Sequence, residues 1–151
     1  MKIINLINNK NLLKEYIKLC HDEWGTPLNK EETERYVDEK IKKIISLEED
    51  KIIFVLGLVE GELLIGFISL FKTDGQERKD LTPWYATMYV KKEYRKKGYS
   101  KILNDALLKE ARKMGYKKVY LKSELKNYYE KFGAKYIETL HNGENLFYID
   151  L

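Results

Sequence analysis

A single cysteine, Cys20, stands in the 151 residues of this chain. No intrachain disulfide can form, so the fold must rest on packing, and a reducing, cytoplasmic setting is the expectation. Cys20 has Tyr16 and Trp24 at helical spacing, which marks it as a core thiol rather than a nucleophile. No apolar run approaches the ~18 residues of a membrane span. The opening MKIINLINNKNLLKEY lacks the continuous apolar core of a signal peptide. Protein and ligand are therefore expected to meet in water, away from any membrane. No His, Cys and carboxylate spacing suggests a metal site, and neither a GxSxG nor a Walker pattern occurs. Repeats, low-complexity tracts and Pro/Gly/Ser-rich linkers are missing too. One domain over residues 1–151 is expected, large enough to bury a core without metal or disulfide support.

What is present is ordinary in amount and informative in order. The chain is 44% apolar and 34% charged, with a net charge of +4. That balance favours acidic ligands without demanding nucleic acid. Lys2 to Leu6 reads as a strand. Asn9 or Asn11 can cap a helix running to about Trp24, with Leu13, Tyr16, Ile17 and Cys20 on one face. GTPLN breaks it, and a second helix follows from about Lys30 to Leu47, with Val37, Ile41, Ile44 and Ile45 as its apolar face. Ile52 to Val59 is a continuous apolar run, as in a strand buried on both faces. EGE turns the chain and Leu63 to Phe71 returns it as a hairpin partner. KTDGQERKD is a polar loop, and Trp84 to Val90 is the next strand.

Ser100 to Met114 is the most regular helix, with Ile102, Leu103, Ala106, Leu107, Ala111 and Met114 in period and Gly115 as its stop. Lys118 to Leu121 is a strand. A short helix is expected over Glu124 to Phe132, with Leu125, Tyr128, Tyr129 and Phe132 on one side, ended by Gly133. Tyr136 to Leu140 and Leu146 to Ile149 pair across HNGE. The order β-α-α-β-β-β-α-β-α-β-β predicts an α/β (α+β) fold: a mixed central sheet of about seven strands flanked by about four helices. The βαβ unit around Ser100 to Met114 crosses over right-handedly, with its strands parallel. Its entry turn then lies at the carboxyl ends of the strands, where open α/β sheets bind ligands.

That turn is the richest feature of the chain. YRKKGYSKIL runs from Tyr94 straight into the helix. The first turn of a helix has unpaired N–H donors and roughly half a positive charge, so anions bind there. Gly98 lets the backbone approach a ligand closely. Arg95, Lys96, Lys97 and Lys101 add positive charge. The residues alone predict a polyanionic, phosphorylated ligand.

The order and two segments resemble the GNAT superfamily of acyl-CoA N-acyltransferases, over the whole chain. VKKEYRKKGYSKIL looks like that family's pyrophosphate loop, R/Q-x-x-G-x-G/A, with Arg95 and Gly98 matching and Ser100 in place of Gly or Ala. NYYEKFGAKYIE looks like its Tyr-Glu-Lys-x-Gly-Phe segment, with Ala134 in place of Phe. DLTPWYATMYV and HDEWG look like one bacterial branch. The resemblance implies acetyl-CoA as donor, no metal, and a small-molecule or peptide amine as acceptor. It implies a pyrophosphate site from Lys96, Lys97, Gly98, Tyr99 and Ser100, screened by Arg95. The pantetheine arm would pair with Met88, Tyr89 and Val90, one N–H of Met88 or Tyr89 polarising the thioester. Many members carry Asn seven residues before the tyrosine; here Lys122 stands there, and Ser123 is the substitute contact.

Tyr129 matches the family's general acid, with Tyr128 the alternative and simple packing the rival role. Glu23, Trp24 and Trp84 are acceptor-side candidates, with Tyr85 beside them. His21, Asp22, Glu23 and Asp74 are candidate bases, and His141 is a turn residue. A non-catalytic acyl-CoA sensor is one alternative. A nucleic-acid binder using Lys91 to Lys101 is the other, disfavoured by interspersed Glu93, Asp105 and Glu110. The sequence leaves the acceptor, acyl length and a possible homodimer open.

Overall fold

The structure is a computed structural model that describes residues 1–46, 51–75 and 77–151. Its seven strands are β1 (Lys2–Asn5), β2 (Ile52–Glu60), β3 (Leu63–Phe71), β4 (Trp84–Val90), β5 (Lys118–Ser123), β6 (Lys135–Thr139) and β7 (Asn145–Asp150). The helices are α1 (Lys10–Trp24), α2 (Lys30–Ile45) and α3 (Tyr99–Lys113). The strands form one sheet in the order β1-β2-β3-β4-β5-β7-β6. Only the β4–β5 contact is parallel; the other neighbours are antiparallel. The expected mixed sheet is therefore present.

Local chemistry sets the helix starts. Asn9, rather than Asn11, caps α1 by accepting from the Leu12 N–H at 3.1 Å. Asn29 opens α2 with a capping box, its side chain accepting from the Glu32 N–H while Glu32 returns the bond. The C-terminal limit at Leu47 lies outside the described residues, as does Gln76 in the polar loop. Ile45 is exposed, so the buried stripe of α2 is Val37, Ile41 and Ile44. Leu6 leaves β1 for a short 3-10 turn and is buried there.

Alternation on β2 divides the core. Phe54, Leu56 and Leu58 face α3, packing with Leu103, Leu107 and Ala111. Val55 and Val59 face the other side, with Leu13, Tyr16 and Ile17 of α1 and Val37, Ile41 and Ile44 of α2. A strand between two helical layers has no polar face to show, which explains the unbroken apolar run.

The expected helix over Glu124 to Phe132 is absent; a 3-10 turn covers only Tyr129–Phe132. Asn127 takes a left-handed φ of 58°, and the Ser123 hydroxyl accepts from the Leu125 N–H. Both favour a turn over helix propagation. Leu125 is accordingly exposed. Three α-helices thus stand among the described residues, not four.

Ile102 and Met114, expected on the buried stripe of α3, are 43% and 55% exposed. Leu103 and Leu107 are fully buried. Leu103→Ala is expected to cost about 2–5 kcal/mol in urea unfolding, whereas Ile102→Ala costs about 0.5 kcal/mol or less.

Candidate functional site

The sheet opens in its middle. Strands β4 and β5 share one register pair, Trp84 with Tyr120, supported by the Tyr120 N–H donating to the Pro83 carbonyl at 3.0 Å. Beyond it the two strands separate towards their carboxyl ends. Two cavities open there. The α3-side cavity, about 590 Å³, is bordered by Met88, Tyr89 and Val90 of β4 and by Arg95, Lys96, Gly98, Tyr99 and Ser100. The loop-side cavity, about 610 Å³, is bordered by Met88 of β4, Leu121 to Ser123 of β5, and the loop residue Asp74. Trp24, Met88, Leu125 and Tyr129 border both.

The turn into α3 is built to expose N–H groups. Lys96 has φ 63° and Gly98 φ 83°, and Gly98 caps α3 with no side-chain hydrogen bond. Asparagine side chains cap both α1 and α2. A hydrogen on Gly98 keeps the left-handed conformation cheap, and space for a Cβ is open there. The Arg95 Nε donates to the Val90 carbonyl at 2.8 Å, and its guanidinium lies over Tyr89 at 5.4 Å. Lys97 lies near the Tyr94 ring instead and does not border the cavity. Lys131, over the Tyr128 ring at 3.9 Å, does border it. Sequence reading passed over Lys131, although it sits inside the YEKFG segment.

Strand β4 carries a bulge. Phe67 pairs with Tyr89 and Ser69 with Ala86, so Thr87 and Met88 together face Ile68. Thr87 has φ 46°, a costly conformation for a β-branched residue. Close approach is also needed at Gly66, where a Cβ would lie 2.6 Å from the Tyr89 carbonyl oxygen.

Tyr129 stands at the junction. Its ring packs edge-on to Tyr85 at 5.9 Å and to Tyr128 at 4.8 Å. Burial, then the Tyr128 neighbour, pushes its phenol up to about 12. Tyr85 is held above the ordinary phenol range by burial and by Tyr129, and its hydroxyl lies 3.4 Å from the Met88 sulfur. Tyr128 borders only the α3-side cavity.

Several candidates fall elsewhere. Trp84 is 1% exposed, donates its indole N–H to the Leu81 carbonyl and packs with Phe71, Ala86 and Leu146. It borders neither cavity, because it lies at the start of β4, where the strand is still paired with Tyr120 of β5. Ser123 borders the loop-side cavity, not the α3-side one. Glu23 borders the α3-side cavity rather than the loop side. His21 stacks against Tyr36, and the His141 N–H donates to Glu77 in an exposed turn. Cys20 is partly buried and borders the loop-side cavity; burial pushes its thiol up to about 12.

Among the candidate bases, Asp74 alone borders the loop-side cavity, joined by Glu124, Glu144, Lys51 and Lys122. The Lys122 ammonium donates to the Asp74 carbonyl at 3.0 Å and sits 4.0 Å from its carboxylate. Among the described residues no group of His, Cys, Asp and Glu is arranged to hold a metal, and no helix is long and apolar enough to cross a membrane.

The sequence model of the Acetyltransferase (GNAT) family matches residues 13–134. No curated protein matches the chain by sequence. Solved structures do match in fold. An N-acetyltransferase from Staphylococcus aureus Mu50 superposes with TM-score 0.73 at 17% identity, covering 99% of each chain. The aminoglycoside 6'-N-acetyltransferase from Enterococcus faecium gives 0.69 at 17% identity, over 99% of this chain and 97% of that one. The PaiA N-acetyltransferase from Thermoplasma acidophilum, in complex with coenzyme A, gives 0.62 at 22% identity over 100% of both chains.

Burial raises the Asp74 pKa above its ordinary 3.8, against the opposing fields of Lys122 and Lys51. A carboxyl with a raised folded pKa holds its proton better when folded. Its stabilising contribution is complete below the unfolded pKa and is lost as pH rises through the folded one. Asp74→Asn is therefore expected to melt higher than the parent at pH 7 in calorimetry, with the difference vanishing towards pH 3.5.

Proposed function

The chain belongs to the GNAT acetyltransferase family, and from that premise we propose that it carries an acetyl group from acetyl-CoA to a primary amine by direct transfer in a ternary complex. The reading covers residues 1–151 as one catalytic domain. The observation that carries it is the gap between β4 and β5, where two cavities meet at Met88 and Tyr129. One has uncapped helix N–H groups and cations at its end; the other mixes carboxylates with Lys51 and Lys122.

Acetyl-CoA fits the α3-side cavity on chemistry. Its pyrophosphate needs N–H donors, and the α3 start offers them from Lys96 to Ser100 without a competing side-chain cap. Arg95, Lys96 and Lys131 border the same space. Lys91 and Lys101 are engaged by Glu15 and Asp105, each at 2.7 Å. That pairing breaks the basic stretch a nucleic-acid face would use.

The donor is a substrate, and the chain's groups do the rest. Met88, Tyr89 and Val90 border the path of the pantetheine arm. One N–H of Met88 or Tyr89 receives the thioester oxygen as it gains charge, a contact worth ~3 kcal/mol. The amine enters from the loop side. Its nitrogen bonds the carbonyl carbon, the C–S bond breaks, the leaving thiolate takes the Tyr129 proton, and the proton shed by the nitrogen as it becomes an amide restores the phenol. The phenol is protonated at neutral pH and has a proton to give, but burial, which raises it to about 12, makes it a weaker acid than a free tyrosine; its place at the junction of the two cavities supports the role. Burial pushes the Cys20 thiol up to about 12, which disfavours the thiolate a covalent acetyl-enzyme needs.

Asp74 is the carboxylate suited to receive the ammonium proton. Burial makes it more basic than an exposed aspartate. Glu124 and Glu144 stand beside it with Lys51 and Lys122, a mixed-charge lining that suits a small amine or a peptide amine.

Two measurements test the reading. Acetyl-CoA at 100 times Kd adds about 2.7 kcal/mol, a rise in Tm of roughly 5–10 °C for a chain of this size; no shift at millimolar ligand removes the donor. Tyr129→Phe is expected to lower kcat about 100-fold with CoA affinity unchanged. A shift with acetyl-CoA but no turnover of any amine identifies an acyl-CoA sensor instead.

A further inference from the structure

One residue of β3 is out of character. The strand LLIGFISLF is otherwise apolar or glycine, and Ser69 sits in it with 0% exposure. A buried hydroxyl is costly unless it is paired. Ser69 is paired twice. The Thr87 hydroxyl donates to its Oγ at 2.5 Å, and the Tyr16 hydroxyl lies 2.9 Å from the same oxygen. The Ser69 and Tyr16 hydroxyls are joined by one hydrogen bond in which either can be the donor. The chain of three hydroxyls runs from α1 through β3 to the β4 bulge.

We propose that Ser69 is a positioning residue for the oxyanion donor, its hydroxyl locking Thr87 in the left-handed conformation that fixes Met88 between the two cavities. The proposal rests on the acetyltransfer reading above. Ser69 borders neither cavity, so it acts only through Thr87. Threonine resists φ 46° because its branched Cβ crowds the backbone; the side-chain bond to Ser69 made in that conformation offsets the resistance. Rings brace the bulge from the same layer. Tyr16 meets Phe67 edge-on at 4.8 Å, and Phe67 stacks on Tyr89 at 5.4 Å. Removing the hydroxyl of Ser69 leaves that ring packing in place, releases Thr87 and takes one partner from the Tyr16 hydroxyl.

The test compares Ser69→Ala with Ser69→Ala/Thr87→Gly, since glycine adopts positive φ without help. Ser69→Ala is expected to lose at least tenfold in kcat while KM for acetyl-CoA and Kd for CoA stay within threefold. The double variant is expected to regain most of that loss. A single variant within threefold of the parent kcat, or a double variant no faster than the single, overturns the proposal. If Ser69→Ala fails to fold, Thr87→Val and Thr87→Ser carry the comparison, the lock requiring Val to fall at least tenfold further than Ser.

A readout without turnover separates this proposal from the reading beneath it. The chain has three methionines, and ¹⁵N-methionine labelling reports the Met88 and Met114 backbone amides in ligand-free protein. The lock predicts that Ser69→Ala shifts and broadens Met88, that the double variant restores it, and that Met114 stays fixed. An unmoved Met88 amide overturns the lock. A parent protein that acetylates no amine overturns the transfer reading and leaves this spectral result standing.

Discussion

Once Trp84 has paired with Tyr120, β4 and β5 do not hydrogen-bond again, and the rest of the site follows from that separation. A parallel pair that stayed zipped would leave no room between helix α3 and the 72–83 loop. The divergence leaves β4 with a face unclaimed by β5, and backbone polar groups there need partners. The two cavities occupy the wedge, one on each side of Met88. Direct transfer between two bound molecules requires such a shared wall, because the reacting atoms must come within ~3–3.5 Å.

Electrostatics then divide the wedge. The α3 side gathers Arg95, Lys96, Lys131 and the helix N-terminus. The loop side mixes the carboxylates of Asp74, Glu124 and Glu144 with the ammonium groups of Lys51 and Lys122, and among the described residues Glu23 is the one carboxylate bordering the α3 side. Tyr129 stands between the two sides, and Tyr85 and Cys20 border the loop side; burial raises the pKa of all three, which keeps them neutral. A neutral divider of protonated groups suits a reaction whose charge appears only in passing. It also leaves few centres that could trap the acetyl group covalently.

The sequence disclosed whatever depends on neighbours along the chain. The α3 start was legible because Gly98, the basic residues and the helical period lie within one short stretch. The sheet order was legible in outline because β2, β3 and β4 differ in apolar pattern from the helices. The segment around Tyr129 drew notice to a residue that borders both cavities, yet the helix expected around it is a 3-10 turn. Leu125, Tyr128 and Phe132 mimic a helical stripe, while Asn127 and the Ser123 hydroxyl settle the turn. Trp84 looked like a pocket aromatic because composition cannot tell a cavity wall from a core wall. Asp74 and Glu144 come from loops 70 residues apart in sequence, and only the folded sheet brings both to the loop-side cavity. Ser69 left a faint trace, a lone hydroxyl in an apolar strand, whose meaning needed Tyr16 and Thr87 beside it.

The two tryptophans occupy opposite environments. Trp84 is sealed in the core at 1% exposure, while Trp24 is 55% exposed, borders both cavities and meets Tyr89 edge-on at 6.4 Å. The chain consequently carries two optical reporters of different kinds. Emission from the indole in the core is blue-shifted and tracks the integrity of the sheet. Emission from the indole at the rim is red-shifted and open to quenching by whatever enters. Intrinsic fluorescence thus distinguishes occupancy from unfolding in the unlabelled protein.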